Sequence, residues 1–370
     1  MPPRAASLWL ALTALTTGCL DWESLSRLGG TMNVPHLPPD GQFAGSADLT
    51  LGSVVVDTSV PEVRGLALPS GVTFAVRPHE PFGPELAVLH VRGLTVSAGA
   101  VVRVIGSRPL VVVAGTDIEV SGVLDASGRG DEPGAGAAQT RGAGEDGRND
   151  PTLTTGGGGA GHSAVGAGGS NASATLGGEG GATYGDAELS VLSGGSKGGI
   201  GWFDLCAPQQ GGAGGGAVQL FAAGAVRIRD GGGVNAGGGG GRGGVICNTA
   251  AAGSGGGSGG AIFVQANEVQ VRGVLAANGG GGGSGTTACG GVHEDGAAGE
   301  DGTLGAAPAR GGVSAGCGSA VGGSGGSLQG AALGGPMTNG AGGGGGGAPG
   351  RIRIVSAVAA VLDGVVSPAP

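Results

Sequence analysis

The chain has 370 residues, a formal net charge of −9, 94 glycines and only 3% aromatic residues. A chain of this length ordinarily carries two domains or so, but this balance of glycine over aromatics leaves far less core-forming material than the length suggests. With Lys197 the only lysine, the charge also excludes a basic nucleic-acid surface, which needs clustered Lys and Arg.

Arg4 precedes an apolar stretch from Ala5 to Leu15, too short to anchor stably across a bilayer and of signal-peptide length. The next residues, Leu15-Thr16-Thr17-Gly18-Cys19, resemble a bacterial lipobox, with Thr16 standing where leucine is usual. That resemblance implies a lipoprotein signal peptide over 1–18, diacylation of Cys19, and attachment to a membrane, since two acyl chains suffice for stable anchoring. Plain secretion is the alternative. Leu20 in place of aspartate after the cysteine implies, by the same resemblance, the outer membrane. Residues 19–45, with Pro35, Pro38 and Pro39, read as a tether.

Residues 46–128 read as an N-terminal β region with the first rungs of a repeat. LVVVAGTDIEVSGVLDASG at 110–128 aligns without a gap with AIFVQANEVQVRGVLAANG at 261–279, an offset of 151 that pairs Val111 with Ile262, Val113 with Val264, Ile118 with Val269, Val120 with Val271 and Leu124 with Leu275. LAVLHVRGLTVS at 86–97 matches 110–121 at an offset of 24, pairing Leu86 with Leu110, Val88 with Val112, Leu94 with Ile118 and Val96 with Val120. Further units lie at 217–237 and 351–366, each with a one-residue insertion. A unit of about two dozen residues with two or three alternating strands has the length of one coil of a parallel β-solenoid. The predicted fold is therefore all-β, a parallel, β-helix-like solenoid. Val218, Leu220, Val226 and Ile228 are expected inside, with Gln219 and Arg227 outside, and Glu119, Arg227 and Gln270 are expected in register.

Glycine-rich inserts interrupt the strands at 129–213 and 280–349. A shorter tract, 238–260, lies among the middle rungs of 214–279, and 350–370 forms the last rung. The duplication continues into the tracts: Glu145-Asp146-Gly147 returns as Glu300-Asp301-Gly302, and Ser163-Ala164-Val165-Gly166 as Ser319-Ala320-Val321-Gly322. Glycine gives up the most backbone freedom on ordering, so one reading is flexible loops. The other starts from Gly296, Gly299, Gly302 and Gly305, which fall at every third position, the period of a left-handed extended helix. In this the tracts resemble the polyglycine-helix bundles of certain phage tail-fibre adhesins. Cys206, Cys247, Cys289 and Cys317 form an even set after Cys19 and read as disulfides with three possible connectivities. Sequence proximity favours Cys206 with Cys247 and Cys289 with Cys317.

Chemistry-bearing motifs are sparse. Matches to glycine-rich phosphate loops carry no information in this background, and no Walker lysine follows one. The pairs Glu145/Asp146, Glu294/Asp295 and Glu300/Asp301 offer oxygens to calcium or serve as solvated turn carboxylates. No CxxC pair or nearby histidine supports zinc, no residue is assigned as catalytic or metal-binding, and no cofactor is expected. His36, His79, His90, His162 and His293 lack a Ser or Cys partner in a nucleophile motif. Trp202 and Phe203, in the apolar run from Gly199 to Cys206, offer a contact patch for sugar or protein, or else seal the end of the solenoid.

The lipobox-like start, Val54-Val55-Val56-Asp57-Thr58-Ser59, the rung at 106–114 and the Gly-Gly-Gly-Ser-Gly-Gly-Ala-Ile stretch at 255–262 together resemble the glycine-rich exported lipoproteins of myxobacteria. That resemblance spans nearly the whole chain and implies a cell-envelope location and a β-helical body, with no activity to carry over. The expected function is a non-enzymatic, lipid-anchored envelope protein, structural or adhesive, with surface polysaccharide or a neighbouring envelope protein as partner. The alternative is a polysaccharide-binding or polysaccharide-cleaving β-helix, with a base among Arg227, Arg229, Arg272, Arg351 and Arg353 and carboxylates among Asp117, Glu119 and Glu268.

Overall fold

The computed structural model describes residues 33–148, 154–171, 176–203, 208–246, 250–289, 292–314, 319–330, 332–335 and 340–370. Cys19, Cys206, Cys247 and Cys317 lie outside these, and of Cys289 only the backbone is described. The described chain is all-β with one short 3-10 turn, Pro39–Gly41.

The strands are, in order, β1 (Leu49–Leu51), β2 (Val54–Asp57), β3 (Glu62–Val63), β4 (Thr73–Arg77), β5 (Leu86–Val91), β6 (Leu94–Val96), β7 (Val101–Ile105), β8 (Leu110–Ala114), β9 (Ile118–Val120) and β10 (Val123–Asp125). After the first insert come β11 (Ala217–Ile228), β12 (Gly233–Asn235), β13 (Ala261–Val271), β14 (Val274–Ala276), β15 (Thr287–Cys289), β16 (Val292–Glu294), β17 (Arg351–Ser356), β18 (Val361–Leu362) and β19 (Val365–Ser367).

A ten-stranded sheet joins β5, β8, β11, β13 and β17 side by side, and β1, β6, β9, β11, β13 and β18 beside them, with β4 on its edge. A seven-stranded sheet runs β3-β2-β7-β10-β12-β14-β19. Pairing is parallel apart from β2–β3, β4–β5 and the separate β15–β16 pair. Inward residues of both large sheets form one core, including Leu51, Val102, Leu124, Val218, Leu220, Val226, Ile228, Val234 and Leu275. The β-branched residues suit a pleated, half-buried surface, and burying each large aliphatic contributes roughly 1.5–3 kcal/mol.

The registers correct four of the sequence pairings, Leu86 with Leu110, Val88 with Val112, Val111 with Ile262 and Val113 with Val264, each by one residue. Ala87, not Leu86, stands opposite Leu110, and Val111 aligns through Gln219 with Phe263, not with Ile262. Leu86 and Val111 face outward, and Leu110 and Ile262 face the core. The reason is the corner between consecutive strands. It takes one more residue after β8 and within β11 than after β5 or within β13, so alignment holds on only one side of the corner. Beyond it the expected pairs stand: Leu94 with Ile118, and Ile118 through Val226 with Val269.

Burial differs along each layer. β5 and β8 are buried at every position, whereas β6 and β9 alternate. The outer faces of β5, β8, the first half of β11 and β13 are covered by Val34 and Leu37 from one segment and Leu189 and Leu192 from another, making a second small core with Phe221 and Phe263. Thus the described part of the predicted tether, 33–45, lies against the sheet.

The glycine tracts are extended segments joined by backbone hydrogen bonds with a three-residue period. Along 253–260, Ser254, Gly257 and Gly260 donate to Arg242, Gly239 and Ala236; Gly255 and Ser258 donate to Gly199 and Ser196; Gly256 and Gly259 donate to Gly345 and Ala348, all at 2.7–3.0 Å. The same segment accepts from Gly157 and Ala160, from Gly280 and Gly283, and from Gly212 and Gly215. It therefore has six neighbours, and all seven segments run side by side. At the glycines of this segment no side chain fits: a Cβ on Gly255 would lie 2.0 Å from the Gly158 carbonyl oxygen, and one on Gly257 2.0 Å from that of Ala213.

Candidate functional site

Two regions gather the residues singled out by sequence. The first is the end of the glycine segments remote from the sheets. Trp202 donates its N–H to the Thr155 carbonyl (3.1 Å) and accepts from Ala252 (2.9 Å); Thr286 donates to Ala251 (2.9 Å); Thr287 and Ser319 share a hydroxyl bond (2.8 Å); Ala320 donates to Ala341 (3.0 Å). These contacts bring the described flanks of residues 206, 247, 289 and 317 to one end of the assembly.

Trp202 and Phe203 sit here, half-buried, with ring centroids 6.2 Å apart. The pair therefore belongs to the glycine segments and does not seal the strand stack. Close by, Asp146 accepts the Ile200 N–H (2.8 Å), and Asp295 accepts the Ile246 N–H (2.8 Å). Asp301 accepts from both Gly130 and Gly240 (2.8 Å each), and Glu300 from Arg310 (3.0 Å). The duplicated acidic residues thus tie one glycine segment to the next through backbone N–H groups. Glu145 pairs with Arg148 at 3.1 Å.

The second region is the outer face of β9, β11 and β13. Glu119, Arg227 and Gln270 stand in register there, as expected from the repeat. Arg227 bridges Asp117 (2.7 Å) and Glu268 (3.3 Å), and Arg229 pairs with Glu119 (2.7 Å). The hydrogen bond from Arg229 holds the Glu119 carboxyl below its ordinary range. Each carboxylate expected of a polysaccharide-cleaving site, Asp117, Glu119 and Glu268, is therefore tied to an arginine. Among the described residues, no group of three or more His, Cys, Asp or Glu side chains could hold a metal ion.

The remaining arginines are divided. Arg351 donates to the carbonyls of Tyr184 (3.0 Å), Gly185 and His162, and Arg353 pairs with Glu188 (2.5 Å) while lying over the Phe263 ring. Arg272, exposed, lines an open cavity of about 390 Å³ with Asp363, Leu304 and the glycines of three successive turns.

Sequence reasoning missed two buried polar clusters. In one, His162 is stacked on Tyr184 (4.5 Å), its Nδ1 bonded to the Gly259 carbonyl (2.7 Å), and Tyr184 donates its hydroxyl to Gly194 (2.6 Å). Burial drives the His162 pKa down to about 4 and the Tyr184 phenol up to about 12. In the other, His36 and His79 meet over Gln219. These residues are far apart in sequence and share no motif. The one available signal was Gln219, a polar residue within a strand whose neighbours are all apolar.

No protein-family model, curated protein or solved structure matches the chain.

Proposed function

We propose that the protein is a lipid-anchored component of the cell envelope in which a parallel β-solenoid carries a polyglycine II-type bundle and displays the far end of that bundle for structural or adhesive contact. The observation that carries this reading is the six-neighbour hydrogen bonding of 253–260, which supports a packed stalk over loose loops. Stacked parallel registers from β5 to β17 support the solenoid. A rod built of glycine offers almost no side chain along its length, so recognition falls to its tip and to Trp202 and Phe203 there.

The disulfides belong to the same proposal. The Thr287–Ser319 bond supports pairing of Cys289 with Cys317, and the bond from Arg242 to the Gln210 carbonyl supports Cys206 with Cys247. Peptide mapping without reduction is expected to return those two linkages.

Anchoring and display are tested on whole cells. Wild-type protein is expected in the membrane fraction, with its tip accessible to externally added protease, and Cys19→Ser protein in the soluble fraction. Beads coated with the full mature chain are expected to bind cells or isolated envelope polysaccharide, and Trp202→Ala to reduce that binding. Cells lacking the protein that adhere normally, together with inert beads, would refute the adhesive role.

A further inference from the structure

The segment that leads into the first strand is fastened to the outer face of the large sheet by His36. Its Nδ1 lies 2.7 Å from Oε1 of Gln219 and its Nε2 lies 2.7 Å from the carbonyl oxygen of Leu189. Gln219 is fully buried, and its amide nitrogen donates to the Pro35 carbonyl at 3.1 Å. A backbone carbonyl only accepts, so the atom facing Pro35 is the amide nitrogen, and the atom facing His36 is the amide oxygen. Both ring nitrogens of His36 therefore face acceptors. A neutral imidazole has one donor and one lone pair, and in either tautomer it would set a lone pair against an oxygen at 2.7 Å.

His79 takes the complementary state. Its ring centroid is 4.8 Å from that of His36, and its Nε2 accepts the Leu192 N–H at 3.0 Å, which requires a lone pair there. Burial, reinforced by His36, pushes its pKa down to about 4.

The backbone supplies an independent observation. Three non-glycine residues among those described have a positive φ, and two are the clasp partners, His36 (70°) and Leu189 (49°). Such conformations are strained in bulky residues and persist where the surroundings impose them.

We infer that His36 is a proton-dependent clasp: as the imidazolium it binds the segment 33–43 and the segment 186–193 to the sheet, and when it loses its proton the two segments come free.

The charged and titratable groups around it come from each packed element. Asp40 lies on the same segment; Arg77, His79 and Glu80 on β4 and the turn after it; His90 on β5; Asp186 and Glu188 on the covering segment; Arg353 on β17. The strands β8, β11 and β13 contribute Val111, Gln219 and Phe263, none ionisable. Among the described residues no carboxylate pairs with His36: Glu188 is engaged by Arg353 and Asp186 by the Ser190 N–H. Its charge is met by two neutral oxygens alone. Clasping is present while both ring nitrogens of His36 carry protons and is lost when one of them leaves. At the acid end, protonating His79 removes the acceptor for Leu192 and sets a second cation beside the first.

The test uses the full mature chain, labelled with ¹⁵N. Imidazole nitrogen spectra at pH 6 are expected to show both His36 nitrogens protonated and His79 neutral. Hydrogen exchange of the 33–43 peptide, corrected for intrinsic rate, is expected to quicken tenfold to a hundredfold between pH 6 and pH 9, the loss of one charge-assisted bond, with the 217–228 peptide unchanged. His36→Gln should exchange fast at both pH values. His79→Phe should keep the alkaline transition and lose the acid one. A bare ring nitrogen on wild-type His36 at pH 6 overturns the clasp whatever the variants do, and so does equal protection at pH 6 and pH 9.

Discussion

The paired strands and the glycine segments occupy one chain and are held by opposite means. Between the sheets, side chains do the work: Leu220, Val226 and Ile228 are buried in the shared core, and backbone bonds only fix their register. In 253–260 the only side chains are the buried hydroxymethyls of Ser254 and Ser258, and cohesion comes from backbone hydrogen bonds to six neighbouring segments at a separation that excludes a Cβ at the glycines. A net intramolecular hydrogen bond contributes only about 0.5–1.5 kcal/mol, and glycine loses the most entropy on ordering. Segments of this kind are stable only in numbers, and Asp146, Asp301 and Arg351 add polar fastening at their margins.

The difference predicts opposite mutational responses. Gly257→Val places a branched side chain where even a Cβ would stand 2.0 Å from a carbonyl oxygen, with no flexible neighbour to yield. The expected loss exceeds about 4 kcal/mol, the range of severe backbone and packing disruption. Gly305→Ala, whose Cβ would meet nothing within 4 Å, is expected to change stability by less than about 0.5 kcal/mol. Denaturant midpoints of the two variants measure the contrast; equal midpoints would mean that the segments are not packed.

In the strand region the damaging change is the reverse, large to small. Leu220→Ala removes a fully buried side chain from the main core and is expected to cost about 2–5 kcal/mol, read from the same midpoints.

How much of this was legible in the sequence follows from the same contrast. Alternation in β9 and the second half of β11 showed which residues face inward, because period-two burial leaves a trace in residue type. The first half of each layer was harder. β8 is apolar on both faces, so no alternation fixed its register, and the offset of 151 placed Val111 opposite Ile262 when its column holds Phe263. The three-residue glycine spacing matches the period of the hydrogen bonding in 253–260, but it did not show which segments meet, because every tract looks alike. Gln219 and His36, separated by 183 residues, left no pattern at all.

A third measurement separates the regions by pH. His162 lies among the glycine segments, beside Tyr184 and within reach of Arg351, and burial holds its pKa at about 4 against an ordinary 6.5. The unfolded chain therefore takes up a proton between those values that the folded chain does not, and stability falls as pH drops from 6.5 towards 4. A depression of that size corresponds to about 3 kcal/mol. His162→Asn should flatten this part of the profile, with titration calorimetry or denaturation at pH 4.5 and 7.0 as the check. An unchanged acid slope would place the loss elsewhere.

The smallest effect is expected on the outer face of the strands. Arg229 and Glu119 form a pair at 2.7 Å with more than a third of each side chain open to water. Exposed pairs of this kind contribute about 0–1 kcal/mol and weaken with salt. Arg229→Gln is therefore expected to cost less than about 1 kcal/mol at low ionic strength and nothing measurable in 1 M salt. A double-mutant cycle with Glu119→Gln isolates the pair from changes in local packing. A coupling well above 1 kcal/mol that persists in salt would mean that this ladder is shielded by something seated on it. Charge pairing would then belong to a contact surface on the strands, in addition to the one proposed at the bundle tip.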